Sequence, residues 1–347
     1  LNGLTLRHFD MAYDAIERGL PEGPLRGVPY LLKDLGIAMR DTITTDGSVL
    51  FRDKMYSYDS TLTQRYRNAG LVMFGKTHSP EFGGTASSES QLFGSTRNPW
   101  NTALSAGGSS GGSAALVAAG VVPMAHASDG GGSIRIPASA CGLFGLKPTR
   151  GRVPMGPMNY ETRNGLSAMH AVTRSVRDSA LLLDLTQGGE LGDAYSAPLR
   201  ARPYSDEIKR SPGKLRIALM TQPLLPIPVA DDCVAAAQQA AKLCASLGHE
   251  VVEAAPDLDA LALWGALGVS SNVLTAKKVA ARERERLLAK RRKGVCCCIG
   301  GERCERVLAS RSAGRFRART EMCGVLLGRF AERAAQHEIL LREHIAC

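Results

Sequence analysis

Along the first 280 residues, apolar and polar positions follow two periods. The run 27–32 (GVPYLL) is short and apolar throughout, as a strand buried on both faces must be, and 71–74 (LVMF) and 121–125 read the same way. Further strands are expected at 215–220 and 250–253. Between these runs lie stretches with helical spacing: 9–18 closed by Gly19, 60–69 closed by Gly70, 176–185 and 231–246. Strands and helices in close alternation predict a layered α/β fold. No run of eighteen apolar residues occurs, and the opening LNGLTLRHFD lacks the blocks of a secretion signal, so a cytoplasmic chain without a membrane partner is expected. The chain starts at Leu1 rather than Met, which suggests an unusual start codon or a missing amino terminus.

Composition changes this picture mainly at one end. The 347 residues suffice for one large α/β domain or two smaller ones, and the net charge is +10. Residues 281–347 hold 16 Lys or Arg against 8 Asp or Glu, and six of the nine cysteines, so the body is nearly neutral. Cys141, Cys233 and Cys244 in the body have no pattern and read as reduced thiols. In the tail, Cys296, Cys297, Cys298 and Cys304 with His337 and His344 match no standard zinc spacing, and no metal is expected. Only Phe316 and Phe330 interleave its basic residues, which argues against a nucleic-acid partner. The expected division is a domain over 1–280 and an atypical Cys/Arg-rich tail over 281–347, ordered only near a helix at 326–345. That tail reads as translated out of frame or otherwise aberrant.

Candidate chemistry lies in two glycine runs, Gly107-Gly108-Ser109-Ser110-Gly111-Gly112-Ser113 and Gly130-Gly131-Gly132-Ser133. Glycine lets backbone amides crowd around one point, and each run carries a serine and leads into an apolar segment rather than a polar linker. Amide hydrolysis needs a nucleophile, a proton acceptor and donors aimed at an oxyanion. Ser133 can be the first, and the amides of Gly130, Gly131, Gly132 and Ser133 the last. No histidine stands where a Ser/His/Asp triad would need it. Lys33, at the end of an apolar run, is the candidate base, since burial lowers an ammonium's pKa.

Two other motifs compete. Residues 70–77 (GLVMFGKT) satisfy the phosphate-loop pattern, yet 71–74 read as a buried strand where a loop is required. Gly107 to Gly111 also fits G-x-S-x-G with His126 as partner, but the turn Asn98-Pro99-Trp100-Asn101 replaces the strand that a nucleophile elbow requires. His126 reads instead as a structural histidine at a strand end.

Four ordered blocks, GVPYLLKDL at 27–35, GKTHSPEFG at 75–83, GGSSGGSAA at 107–115 and SDGGGSIRIPASACGLFGLKPTRGR at 128–152, together resemble the amidase signature family. Ser133 follows Ser109 by 24 residues, which is that family's spacing. The resemblance spans roughly 1–280. It implies an α/β amidase-signature fold, a mixed central β-sheet covered by helices on both faces, here incomplete at the C-terminus because family members continue for another hundred residues or more. It further implies Ser133 as nucleophile, Ser109 as a bridging serine after a cis peptide bond to Gly108, and Lys33 as ultimate base. Asp129 and Arg135 would brace the glycine loop as an ion pair, and Ser110 would hydrogen-bond within the network. The resemblance implies no cofactor. HAVTRSVRDS at 170–179 with GDAY at 192–195 is similar to the 6-aminohexanoate-cyclic-dimer hydrolase branch, which points to a small linear or cyclic amide substrate. A subunit of a tRNA-dependent amidotransferase, an inactive fragment with a polyanion-binding tail, and a homodimer all stay open.

Overall fold

Short apolar runs without a polar face become the inner strands of a six-stranded sheet. The computed structural model describes residues 1–158, 162–163 and 165–295; the expectations for the tail from 296 onward lie outside the described residues. In chain order the elements are β1 (Leu4–Arg7), α1 (Phe9–Glu17), β2 (Pro29–Lys33), the short pair β3 (Thr42–Ile43) and β4 (Met55–Tyr56), α2 (Thr61–Asn68), β5 (Val72–Thr77) and the short pair β6 (Glu89–Ser90) and β7 (Gly94–Ser95). There follow α3 (Gly111–Ala118), β8 (Met124–Asp129), α4 (Arg135–Ala140), β9 (Phe144–Gly145), β10 (Ala168–Thr173), α5 (Val176–Thr186), α6 (Tyr204–Glu207), β11 (Arg216–Leu219), α7 (Asp231–Ser246), β12 (Glu250–Glu253) and α8 (Ala260–Val295).

The main sheet runs β1-β5-β2-β8-β10-β9. It is parallel where β2 meets β5 and β8, and antiparallel at β1/β5, β8/β10 and β10/β9. This is the mixed sheet that was expected. Strand alternation splits its side chains between two cores. Tyr30, Leu32, Met73, Met124, Met169 and Ala171 join Leu62 and Tyr66 of α2 and Leu182 and Leu183 of α5 on one face. Leu31, Ala125, Ala127 and Val172 join Ala114, Ala115 and Val117 of α3 and Ala138 of α4 on the other. Helix ends follow local chemistry: the Ser60 and Ser175 hydroxyls accept from Thr63 N and Asp178 N at 3.2 and 3.1 Å, capping α2 and α5.

One strand and two helices differ most from the sequence reading. β8 begins at Met124 and continues to Asp129, later than the expected 121–125, because its second half is polar yet buried throughout. Hydrogen bonding allows that burial: the Ser113 hydroxyl donates to the His126 carbonyl at 2.7 Å. α3 opens on two glycines and is buried on nearly all sides, so it shows no amphipathic stripe to read. α8 was not expected either.

The stretch 1–280 divides between two compact units. One compact unit comprises 1–211 with 264–282; the other includes 212–263. β11 and β12 pair parallel with each other rather than joining the main sheet, and α7 connects them, a βαβ arrangement that element alternation alone cannot separate from its neighbour. Within the first unit, Lys278 and Arg282 of α8 reach Asp46 at 2.8 Å and Asp53 at 2.6 Å.

Candidate active site

Lys33 is the last residue of β2 and is fully buried. Its Nζ lies 2.7 Å from Ser109 Oγ, 3.1 Å from Ser128 Oγ and 3.4 Å from the Ser128 carbonyl. Its backbone N–H donates to His126 Nδ1 at 3.2 Å, which makes that ring neutral with its proton on Nε2. Burial pushes the Lys33 amine down to about 7; Asp129 opposes the shift, Arg163 adds to it and Asp46 opposes it. The partly positive N-terminus of α3, which starts just after Ser109 and Ser110, acts in the same direction as burial. A neutral amine has two N–H donors and one lone pair. The Ser128 carbonyl can only accept, so the lone pair is free to accept the Ser109 hydroxyl proton.

Ser109 follows a cis Gly108–Ser109 peptide, as the resemblance implies. The glycine run around it is tightly packed. A Cβ on Gly108 would fall 2.8 Å from the backbone of Ala86 and Ser87, and one on Gly112 would fall 2.4 Å from His78 N. Ser88 Oγ accepts from Gly111 N at 2.9 Å, and Ser110 Oγ lies 3.3 Å from the Ser128 carbonyl and 3.4 Å from Ser128 N. Ser128, two residues before the second glycine run, is thus part of the cluster. Its sequence signal is its place at the head of the block at 128–152, to which the sequence reading gave no role.

Ser133 is half-buried and held through its backbone, whose carbonyl accepts from Ser110 N at 3.3 Å. No hydrogen bond joins its hydroxyl to Ser109. The loop before it is organised by the buried Asp129, which accepts from Gly132 N at 2.7 Å, Ile134 N at 3.2 Å and Arg135 N at 3.4 Å. The Arg135 guanidinium adds bonds of 2.9 and 3.1 Å, the expected ion pair. This corrects one part of the oxyanion expectation: the Gly132 N–H is already given to Asp129, because a buried carboxylate needs donors. Among the described residues, the amides of Gly130, Gly131 and Ser133 have no such acceptor. The need for glycine is also uneven. A Cβ on Gly130 would lie 2.7 Å from Ser167 Oγ, whereas one on Gly131 would meet nothing nearer than 3.9 Å.

The competing motifs fall on structure. Residues 72–77 form β5 between β1 and β2, and Lys76 is buried with its amine on Thr44 Oγ1, so no phosphate loop exists there. His126 sits within β8, remote in role from a triad: one ring nitrogen takes the Lys33 amide and the other has no partner. Among the described residues no group of three or more His, Cys, Asp or Glu could hold a metal, and no helix is long and apolar enough to cross a membrane.

Comparison with known proteins agrees with this arrangement. The family model described as Amidase matches residues 5–334. The chain belongs to the amidase family. Among relatives of this amidase chain, the 6-aminohexanoate-cyclic-dimer hydrolase of Paenarthrobacter ureafaciens is 46% identical over 74% of the chain and 53% of the relative. The protein of the same name from Pseudomonas sp. (strain NK87) is 44% identical over the same shares. The chain therefore spans about half the length of these relatives. A solved 6-aminohexanoate cyclic dimer hydrolase complexed with substrate superposes with a TM-score of 0.71 at 42% identity, covering 74% of this chain and 54% of the other. A bacterial aryl acylamidase of the amidase signature family gives a TM-score of 0.75 at 30% identity, over 82% and 60%.

Proposed function

We propose that this chain carries the catalytic part of a serine-dependent amide hydrolase of the cytoplasm, acting on a small linear or cyclic amide such as the 6-aminohexanoate cyclic dimer. The observation that carries the reading is the 2.7 Å contact between the buried Lys33 amine and the Ser109 hydroxyl, in surroundings that favour the uncharged amine. The names of the relatives support the substrate class.

In this reading neutral Lys33 takes the Ser109 proton while Ser109 Oγ takes the proton of Ser133. The Ser133 oxygen adds to the amide carbonyl, and the oxyanion is met by the free amides of Gly130, Gly131 and Ser133. Ser109 then protonates the departing nitrogen, the C–N bond breaks, and water hydrolyses the acyl-enzyme by the reverse relay. The Ser109–Ser133 step needs a contact that closes when substrate arrives, a common behaviour of catalytic hydrogen bonds in free enzymes. Ser110, Asp129 and Arg135 support the loop, and no cofactor takes part.

The full chain, Ser133→Ala and Lys33→Ala should be treated with a fluorophosphonate, and the parent incubated with the cyclic dimer under mass-spectrometric detection. Labelling is expected only where Ser133 is present, slowed about 10²–10⁴-fold without Lys33. Labelling that survives loss of Ser133 would refute the nucleophile.

A further inference from the structure

Antiparallel pairing of β8 with β10 sets Ala168 opposite Asp129, so residues just before β10 lie beside residues just after β8. That register brings Arg163 and Ser167 against the second glycine run. A Cβ built on Gly130 would fall 2.9 Å from Arg163 Cδ and 3.3 Å from its Nη1, and one on Gly131 would fall 3.9 Å from the same nitrogen. Arg163 itself takes φ 53, a left-handed conformation that costs a residue with a Cβ and that clusters at functional sites. The tight turn around it, with Leu166 N donating to Arg163 O at 3.1 Å and Ser167 N to Thr162 O at 3.4 Å, holds it there.

The Arg163 side chain is half-buried and, among the described residues, makes no hydrogen bond. Burial disfavours its charge and Asp129 only partly offsets this. Asp129 is not available as a partner, since it already accepts five hydrogen bonds, where a carboxylate offers about four lone-pair sites. A charged group drawn partly out of water is normally paired. Here the pairing anion is absent from the described residues, and the guanidinium edge borders the amides assigned to the acyl oxygen.

We propose that Arg163 forms an anion subsite beside the acyl position, so that an amide carrying a carboxylate near its scissile carbonyl is preferred over the uncharged amide of the same length. Guanidinium and carboxylate can join through two parallel N–H···O bonds, which fixes orientation as well as charge. The subsite rests on the assignment of Ser133 and the glycine loop to the acyl site.

The test titrates the Ser133→Ala chain with adipamate, the monoamide of adipic acid, and with adipamide, its neutral counterpart. Adipamate is expected to bind at least about tenfold tighter. Adding Arg163→Gln should bring the two ligands within about twofold by weakening adipamate more than adipamide, and Arg163→Lys should keep part of the preference. Equal affinities in Ser133→Ala, a preference that survives Arg163→Gln, or equal weakening of both ligands by that change would each overturn the subsite. An Arg163-dependent preference in a chain whose parent hydrolyses no amide would uphold the subsite and reject the hydrolase; hydrolysis without any preference would do the reverse.

Discussion

Replacing Asp129 by Asn separates the charge of this residue from its shape. The Asp129 side chain is fully buried and receives three backbone N–H groups and two guanidinium N–H groups. In Asn one oxygen becomes an NH₂ donor, and either orientation turns it toward an N–H, that of Gly132 on one side or of Ile134 on the other. A charge-assisted hydrogen bond worth about 1.5–3 kcal/mol is lost, and a buried donor left unsatisfied costs about 1–3 kcal/mol more. The expected loss of stability is therefore roughly 3–5 kcal/mol. Arg135 is different, because its side chain is 55% exposed and its ion pair is screened by water. Arg135→Gln should cost no more than about 1 kcal/mol.

Urea midpoints for the parent, Asp129→Asn and Arg135→Gln measure both numbers. Acid adds a check of sign. Burial raises the Asp129 pKa, but hydrogen bonds from Arg135, Gly132 and Ile134 outweigh it and hold the carboxyl below its ordinary range. A carboxylate depressed in the folded state contributes fully above its unfolded pKa of about 4 and loses that contribution as pH falls through the folded value. The gap between parent and Asp129→Asn should thus narrow in acid. An Asn variant within about 1 kcal/mol of the parent, a Gln variant as damaging as the Asn variant, or a gap that stays constant in acid would refute the role of Asp129 as the organiser of the loop.

Two further outcomes follow from the site. Since only the neutral amine accepts the Ser109 proton and Lys33 is pushed down to about 7, the rate of fluorophosphonate labelling should rise with pH through about 7 and then level off; a flat profile between about pH 5 and 9 would contradict the base assignment. The same depressed lysine means that the unfolded chain binds the extra proton between about 7 and 10.5, so stability should increase with pH across that window, and Lys33→Met should remove the increase. Gly83 has φ +66, and a Cβ there would sit 2.6 Å from Leu35 Cδ2 and 3.1 Å from Ser109 Oγ. Gly83→Ala should displace Ser109 and slow labelling at least about tenfold, whereas Gly84→Ala, whose nearest neighbour is Glu81 O at 3.4 Å, should not; equal rates in the two variants would show that Ser109 does not depend on this contact.

Why some of this was legible and some was not comes down to the range of the interaction that decides each feature. Ser60 before α2 and Gly70 after it are local signals, and the helix lies at Thr61–Asn68 as those caps require. GVPYLLK is apolar on both alternating faces, and β2 duly ends at Lys33 with a helix-covered core on either side. The polar second half of β8 could not be read this way, because its burial depends on partners such as Ser113 and on Lys33, which lies over 90 residues earlier in the chain. Likewise, glycine spacing shows that amides can gather, but not which of them is already taken. Gly132 is engaged because Asp129 is buried, and Asp129 is buried because β8 runs on between β2 and β10. Arg163 is the extreme case: it enters the site only through the pairing of Ala168 with Asp129, a register decided by two distant strands. A local pattern names the residue types that chemistry requires, while sheet register decides which side chains share a pocket and which of their polar atoms remain free to act.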